Sequence, residues 1–236
     1  MAITKTTIDY SEASSLSGEA RWKKQAEILA PILAGYTGWI SSAEYTGVTQ
    51  GNYIVITFTD GLVLSIGYYS SNRAQYAMSG MSNGYTFYFG KDANSYGLSA
   101  FPYCIWETSN GLVLGFNDNN EPMLFITKDQ NNNIVIAGAQ SLNSINMIGS
   151  LTASISMEIA NKNTSANGAV NFYTSHASSI LPPAMTSLAP AVVLGNGNAE
   201  YCPNLFIQTF RQYDTFGTIN IDGTNYLTNG VFALKE

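Results

Sequence analysis

The stretch from Ile54 to Ile66 constrains the fold more than any other part of the sequence. It reads Ile-Val-Ile-Thr-Phe-Thr-Asp-Gly-Leu-Val-Leu-Ser-Ile, so two apolar, β-branched runs flank the dipeptide Asp60-Gly61. Asx-Gly pairs favour the positive φ values of tight hairpin turns. The arrangement returns at Asn110-Gly111, and the tetrapeptide Gly-Leu-Val-Leu begins at the turn glycine in both places. This repetition predicts two related hairpins in a sheet protein.

Further short strands separated by turn residues follow along most of the chain. Asp222-Gly223 marks a third hairpin turn. No alternation of strands with helices is visible after residue 39, which favours a mainly β protein, either an antiparallel β-sandwich or a distorted barrel. The other predicted strands lie at 39–45, 73–78, 85–89, 123–127, 134–137, 191–194, 204–211, 217–227 and 229–234.

One amphipathic helix precedes these strands. Ser17 is a suitable N-cap, and the apolar stripe of Trp22, Leu29 and Leu33 has helical spacing. Pro31 is expected to kink or end the helix near residue 30. The stripe either covers one sheet of the same chain or docks onto a neighbouring subunit, and we assign the docking role to Trp22, Leu29 and Leu33.

The sequence divides into an N-terminal arm with its docking helix, residues 1–37, and a β-rich body, residues 38–236. Residues 1–16 are Ser/Thr-rich without periodicity, which predicts an exposed arm. A boundary within the body is expected near 138–165, a Ser/Asn-rich region that predicts a weak strand or a linking excursion. Prolines within 175–190 predict a long surface crossing there.

Charged side chains are scarce, at 11% of the residues, and the formal net charge is −6. Uncharged polar residues and Tyr supply the polarity, which suits hydrogen-bonded contacts with proteins or sugars. Nucleic-acid binding needs a basic footprint, and no run of Lys or Arg is present. No stretch of about 18 apolar residues exists, so no membrane insertion is expected. Residues 1–10 have no long apolar run, so we expect no signal peptide and assembly in a cytoplasm.

No set of residues predicts catalysis or a cofactor. Cys104 and Cys202 lack metal-site spacing and are interpreted as buried thiols, with a disulfide as the alternative. His176, the only histidine, has no Gly-x-Ser-x-Gly motif to accompany it. The run from Asp129 to Asn133 begins like a calcium loop, but Ile134 replaces the required glycine, which favours a polar hairpin turn.

A glycan hydrolase stays an alternative because it needs only two suitably spaced carboxylates. It is the least favoured one, because Asp118 and Glu121 lie in a turn-like cluster. Asp60 is already explained by its turn. The available side chains are Glu44, Asp60, Glu107, Asp118, Glu121, Glu158 and Glu200.

Aromatic residues are the most suggestive feature for binding. Tyrosines and Trp106 crowd residues 68–106, and in strands such residues commonly pack half-buried on the sheet. The alternative is an exposed platform for a glycan or a protein, since Tyr offers rigid amphipathic contact area. For that alternative the candidate ligand-binding residues are Tyr69, Tyr85 and Trp106.

Two stretches resemble minor structural proteins of tailed phages and prophages of Gram-positive gut bacteria. One is the ending Gly-Thr-Ile-Asn-Ile-Asp-Gly-Thr-Asn-Tyr-Leu-Thr-Asn-Gly-Val-Phe-Ala-Leu at 217–234. The other runs from Gly38-Trp39 through Gly51-Asn-Tyr-Ile-Val-Ile-Thr-Phe to the first Asx-Gly turn. The resemblance implies a virion component of the tail, baseplate or fibre region and transfers no catalytic residue.

The sequence therefore predicts a non-enzymatic structural protein of a phage virion or phage-tail-like particle. It is expected to attach through its N-terminal segment and to present a β domain, with other virion proteins and copies of itself as partners. Its expected location is the virion, assembled in the host cytoplasm. A carbohydrate- or host-receptor-binding module is the main alternative, with a host surface glycan or receptor as the partner.

Overall fold

Short antiparallel strands preceded by a helix make up the described part of the chain in the computed structural model. This confirms the predicted mainly β fold with one N-terminal helix and antiparallel sheets that pack together, and the sheets do not close into a barrel within the described residues. The residues described are 3–47, 52–70, 73–79, 85–89, 101–115, 123–139, 146–150, 188–195, 198–208, 217–228 and 232–236.

The elements follow one another in a simple order. In chain order they are β1 (Thr4–Thr7), a 3₁₀ turn (Ser11–Ala13), α1 (Gly18–Ala34), β2 (Ile40–Tyr45), β3 (Asn52–Phe58), β4 (Val63–Ser70), β5 (Arg73–Ser79), β6 (Tyr85–Phe89), β7 (Cys104–Thr108), β8 (Gly111–Gly115), β9 (Met123–Lys128), β10 (Ile134–Ala139), β11 (Asn146–Ser150), β12 (Leu188–Gly195), β13 (Asn198–Gln208), β14 (Gly217–Ile221), β15 (Thr224–Thr228) and β16 (Phe232–Lys235).

The chain divides into two compact units. Residues 6–105 form the first, called here the helix-sheet unit, and residues 1–5 with 106–236 form the second, called the sandwich unit. One five-stranded sheet has the order β2-β3-β4-β5-β6, a second has the order β12-β13-β16-β15-β14, and a six-stranded sheet has the order β1-β7-β8-β9-β10-β11. The helix therefore belongs to the same unit as the strands that follow it, whereas the division at residue 37 stays a prediction about attachment.

The helix-sheet unit is built on the first predicted hairpin. Strands β3 and β4 pair as expected, and the turn is closed by the Phe58 N–H donating to the Leu62 carbonyl at 2.8 Å. Asp60 Oδ1 accepts the Leu62 N–H at 3.0 Å, and Gly61 has φ 92°. Asp60 is therefore a turn residue, as the sequence predicted.

Helix α1 covers this sheet by lying against β2 and β3. Ser17 holds the N-cap position with extended backbone, and its side chain makes no capping hydrogen bond. Of the two effects predicted for Pro31, an end near residue 30 is wrong, because the helix includes Pro31 and continues to Ala34, with Gly35 at its C-cap. Pro31 is exposed, while Leu33 beyond it is fully buried, so packing of that last turn outweighs the hydrogen bond that proline removes.

The N-terminal segment, residues 6–16, is partly fixed to the helix-sheet unit, which corrects the predicted exposed arm. Ile8, Tyr10 and Ala13 are buried. The Ile8 N–H donates to the Tyr103 carbonyl at 2.8 Å, and the Tyr10 hydroxyl donates to the Pro102 carbonyl at 2.8 Å. Isolated apolar side chains without periodicity are thus anchors in this segment.

The sandwich unit buries its core between two sheets. Phe125 of β9 meets Phe232 of β16 with ring centroids 5.9 Å apart. A Cβ at Gly111 would collide with the Ile126 carbonyl oxygen and lie 3.0 Å from Leu234 Cδ2. Gly111 is therefore required for close approach, whereas Gly61, at the matching place in the first hairpin, has open space and a positive φ.

Part of the segment that was predicted to cross the surface, residues 175–190, forms a strand. Leu188 to Pro190 belong to β12 rather than to a surface crossing, and the register shifts after Pro190, so a bulge accommodates the missing N–H. Residues 175–187 and His176 lie outside the described residues, as does most of 138–165, where β11 is one strand. Cys104 and Cys202 are buried thiols.

Candidate functional site

The three side chains predicted to dock onto a partner are buried within the helix-sheet unit. Leu29 and Leu33 have no exposed surface, and the Trp22 ring meets Phe101 edge-on with centroids 6.0 Å apart. The stripe of α1 therefore covers the protein's own sheet, which is the alternative that the sequence left open. In this conformation Trp22, Leu29 and Leu33 are not accessible to a partner.

The opposite side of α1 is polar and exposed. Lys24 Nζ lies 2.9 Å from Glu12 Oε2 and 3.4 Å from Glu27 Oε2. The hydrogen bond to Glu12 raises the pKa of Lys24 most, and the hydrogen bond to Glu27 raises it further. Because such pairs are solvated, they add little to stability. Leu16 and Arg21 are exposed near the start of the helix, so this side remains accessible for attachment.

Trp106 packs within the protein, as the first interpretation of the aromatic residues expected, and is not the exposed stacking surface of the alternative. It is buried, and Lys5 Nζ lies 5.3 Å from the centroid of its ring. This is a cation–π geometry within the sandwich unit. Tyr69 lies in β4 and Tyr85 in β6, but their side chains lie outside the described part of the chain, so their role stays a prediction.

A different aromatic pair lies on the outward face of the sheet that contains β13 to β16. Phe206 in β13 and Tyr226 in β15 pack edge to face, with centroids 5.5 Å apart and an interplanar angle of 87°. Tyr226 lies directly opposite Ile219 on one neighbouring strand and directly opposite Lys235 on the other. All four side chains are half-buried. Phe206, Ile219, Tyr226 and Lys235 are called here the outer aromatic patch.

Strand alternation explains why these side chains point outward. In β16, Phe232 and Leu234 turn into the core, so Lys235 has the opposite direction. Residues directly opposite each other on adjacent strands share a face, which places Tyr226 beside Lys235. Phe206 lies opposite Ala233, whose direction matches that of Lys235, so Phe206 shares this face of the sheet, on which Ala233 itself is fully buried.

The outer aromatic patch has the chemistry of a recognition surface. Tyr226 offers a ring face or edge and a hydroxyl, Phe206 supports it, and the Lys235 ammonium group supplies a positive charge. Such a combination suits stacking of a sugar ring or contact with a protein side chain.

The run that began like a calcium loop forms the turn between β9 and β10. Asp129 is buried, and its Oδ1 accepts the N–H groups of Asn131 at 2.8 Å and Asn133 at 2.9 Å. Its Oδ2 accepts Asn133 Nδ2 at 3.0 Å, and Asn132 has φ 65°. The carboxylate therefore organises the hairpin. Across the residues that the structure describes, no group of three or more His, Cys, Asp or Glu side chains could hold a metal ion.

The carboxylates considered as a catalytic pair for glycan hydrolysis differ in their places and roles. Asp60 belongs to its turn, Glu44 is exposed near the end of β2, and Glu107 is half-buried in β7. Asp118, Glu121, Glu158 and the side chain of Glu200 lie outside the described part of the chain.

Sequence reasoning missed the outer aromatic patch, although a signal for it exists. Bulky side chains stand at successive strand positions in Asn225-Tyr226-Leu227 and in Leu205-Phe206-Ile207. Because successive side chains point to opposite faces of a sheet, at least one bulky side chain in each run must point away from the core. The density of tyrosines at 68–106 drew the prediction elsewhere.

Comparisons with protein-family models, curated proteins and solved structures gave no match. Among the helices of the described residues, none is both long and apolar enough to cross a membrane. What remains is the chemistry of the chain's own residues and the resemblance of residues 38–61 and 217–234 to minor structural proteins of tailed phages.

Proposed function

We propose that this chain is a non-enzymatic structural component of a phage virion or phage-tail-like particle, present with other virion proteins and with copies of itself. The observation that supports this most is where the resembling ending lies. Residues 217–234 contain β14, β15 and the first part of β16, which are adjacent strands of one sheet. The ending that resembles virion proteins is thus part of the β scaffold, which supports a structural role.

The use of polar side chains supports a role without catalysis. Asp60 and Asp129 hold hairpin turns. Asn110 Nδ2 donates to the main-chain oxygens of Lys235 and Glu236 at 3.2 and 3.1 Å. Side chains of the kinds that enzymes use are here employed to fix the backbone.

Attachment is proposed through the exposed side of the N-terminal region rather than through Trp22, Leu29 and Leu33. Leu16 is 37% exposed, which is unusual among the large apolar side chains whose burial the structure describes. Arg21 is exposed close to it in the sequence. An apolar side chain together with an arginine suits a small protein contact.

The test is co-purification with particles. Particles carrying the wild-type chain are banded on a density gradient, and the chain is quantified by mass spectrometry in each fraction. We expect the wild type in the particle band at a fixed ratio to the other virion proteins, and lower incorporation of Leu16→Ser and Arg21→Ala. Gln130→Ala, at an exposed turn position, is the matched control and should incorporate normally. A wild-type chain that stays entirely at the top of the gradient contradicts the proposal.

The outer aromatic patch favours a second candidate function, a carbohydrate- or host-receptor-binding module on the same particle. Binding of the purified full chain to a glycan array and to host cells measures it directly. Tyr226→Ala and Phe206→Ala should each reduce binding about tenfold, since loss of an aromatic contact commonly costs 1 kcal/mol or more. Tyr45→Ala, which removes an exposed tyrosine of the other unit, should bind like the wild type. Absence of wild-type binding to every glycan and cell tested removes this candidate.

A further inference from the structure

Strand β14 is the outermost strand of its sheet in the described part of the chain, paired with β15. Its sequence is Gly-Thr-Ile-Asn-Ile, and its register with β15 is uninterrupted over the whole strand. Thr218 and Asn220 are exposed, and Gly217, Ile219 and Ile221 are half-buried. Proteins commonly protect edge strands with charged residues, proline or a bulge. β14 contains none of the three.

The hairpin turn determines which main-chain groups of β14 point away from β15. Residues 222–223 form a two-residue turn with φ values of 49° and 79°, and Ile221 lies opposite Thr224 at its base. In such a hairpin the closing pair is hydrogen-bonded, and hydrogen-bonded pairs recur at every second residue. The N–H and carbonyl groups of Thr218 and Asn220 therefore point outward along the edge.

The strand is held in this conformation by side-chain hydrogen bonds. Asn220 Oδ1 accepts the Gly223 N–H at 3.2 Å, and Asn220 Nδ2 donates to Asn225 Oδ1 at 2.8 Å. Asn225 Nδ2 in turn donates to Glu236 Oε2 at 2.7 Å. Because the edge is already ordered, pairing with another strand costs less conformational entropy.

The edge is complementary to itself. If two β14 strands meet antiparallel about a two-fold axis at Ile219, Thr218 of each copy lies opposite Asn220 of the other. These two residues carry the outward N–H and carbonyl groups, so this register uses all of them in hydrogen-bonded pairs. Ile219 meets its own symmetry mate in a non-hydrogen-bonded pair. No charge lies on either strand, so two chains of formal net charge −6 meet here without close repulsion.

We propose that β14 is a self-association edge, which joins the sheets of two copies of this chain through antiparallel β14–β14 pairing centred on Ile219. The pairing specifies the copy-to-copy contact of the proposed function, but it is a property of the purified chain and can be tested without any particle. Failure of particle incorporation and failure of pairing are therefore separate results. A stable protein interface usually buries about 1,600 Å², more than one short strand pair covers, so the dimer should dissociate on dilution.

Disulfide trapping tests the register. Ile219→Cys in the full chain places two thiols directly opposite each other, at the short Cα separation of a non-hydrogen-bonded pair. Under mild oxidation we expect a covalent dimer on non-reducing gels. Thr224→Cys on β15 is the matched control and should give no covalent dimer on these gels, and neither should the wild type, whose Cys104 and Cys202 are buried. Equal cross-linking of Ile219→Cys and Thr224→Cys overturns the proposal.

Sedimentation equilibrium over a concentration series tests the contribution of the main-chain groups. Thr218→Pro removes an outward N–H from both copies and should weaken association at least about tenfold. Thr218→Val keeps that N–H and should associate like the wild type. Circular dichroism of both variants establishes that the hairpin is folded. A wild type that is monomeric at all concentrations, or equal association of the two variants, contradicts β14 pairing.

Discussion

Individual polar side chains join distant parts of the sandwich unit. Asn110 lies in the turn between β7 and β8 and donates to the main-chain oxygens of Lys235 and Glu236. Its own carbonyl accepts the Thr127 hydroxyl at 2.7 Å. The side-chain amide of Asn110 thus connects the β7–β8 turn of the six-stranded sheet to β16 of the five-stranded sheet that contains β12 to β16.

Asn110→Ala should therefore lower the free energy of unfolding by about 1–3 kcal/mol, the value of two hydrogen bonds. Asn110→Asp should cost more, because a carboxylate would face two main-chain oxygens. The control is Asn131→Ala, since the Asn131 side chain is exposed and its main-chain N–H bond to Asp129 is retained. Urea denaturation measures all three. Equal stability of Asn110→Ala and Asn131→Ala contradicts the assigned role.

Gly111 is a second residue on which the sandwich depends. Gly111→Ala forces a Cβ against the Ile126 carbonyl and Leu234, and should destabilise by about 1–3 kcal/mol or more, as overpacking does. Gly217→Ala, in β14, meets no atom within 4 Å and should change stability by less than about 0.5 kcal/mol. Thermal unfolding of the pair gives the comparison. A loss of stability shared by both variants would point to β-strand glycines in general instead of this close contact.

Tyr10 should make the helix-sheet unit sensitive to alkaline pH. Its pKa is raised above the ordinary value of about 10, chiefly by burial and further by the neighbouring Tyr103 and Cys104. Because the folded-state pKa exceeds the unfolded one, the stabilisation is complete below about pH 10 and is lost as the pH rises toward the folded-state pKa. Denaturation between pH 8 and 11 should show this decline.

Tyr10→Phe should remove the Tyr10 contribution to that decline, at a cost of about 1 kcal/mol near pH 7 for the hydrogen bond to the Pro102 carbonyl. Tyr45→Phe, at an exposed tyrosine, should keep the full decline. If Tyr10→Phe loses stability with pH as steeply as the wild type, burial of Tyr10 does not control the alkaline response.

At the scale of elements, the sequence predicted the hairpins well because they are local. Alternating apolar residues around an Asx-Gly pair determine both strands and their turn, as at Asp60-Gly61. β1 was missed because Thr4–Thr7 has no apolar alternation, and its strand conformation comes from its place at a sheet edge. Burial of Tyr10 was missed for a related reason, since it depends on Pro102 and Tyr103, which lie far away in the sequence.

The helix shows the same limit. Its existence and its apolar stripe followed from the spacing of Trp22, Leu29 and Leu33, but periodicity does not say what covers the stripe. The structure covers it with β2 and β3. The half-buried outer aromatic patch likewise needed the strand register, which shows that Tyr226 and Lys235 are neighbours.

Leu29→Ala tests the assignment of the stripe to the core. It should lower the free energy of unfolding by about 2–5 kcal/mol, because it leaves a cavity at a fully buried position. Glu27→Ala, two residues away on the exposed side, should change stability by less than about 0.5 kcal/mol. Chemical denaturation of the free chain is the measurement. If Leu29→Ala is as stable as the wild type, Leu29 is not a core residue and is again a candidate for partner docking.

At the scale of the whole molecule, the β scaffold, its surface and the proposed assembly are consistent with one another. Turn carboxylates and amides fix the β scaffold, few of its residues are charged, and the edge of β14 is the proposed contact between copies. The outer aromatic patch, at Tyr226, lies one strand inward from that edge. Pairing of two β14 strands would bring the patches of two copies onto one continuous face, which is a useful arrangement for multivalent recognition.

A cryo-electron microscopy map of the purified particles that carry the chain tests the central proposal most directly. The proposal predicts density for repeated copies of the sandwich unit within the tail, baseplate or fibre region, with β14 edges of neighbouring copies adjacent. A map in which all protein density is assigned to other chains, while this chain remains in the unassembled fraction, would contradict a structural role in the particle.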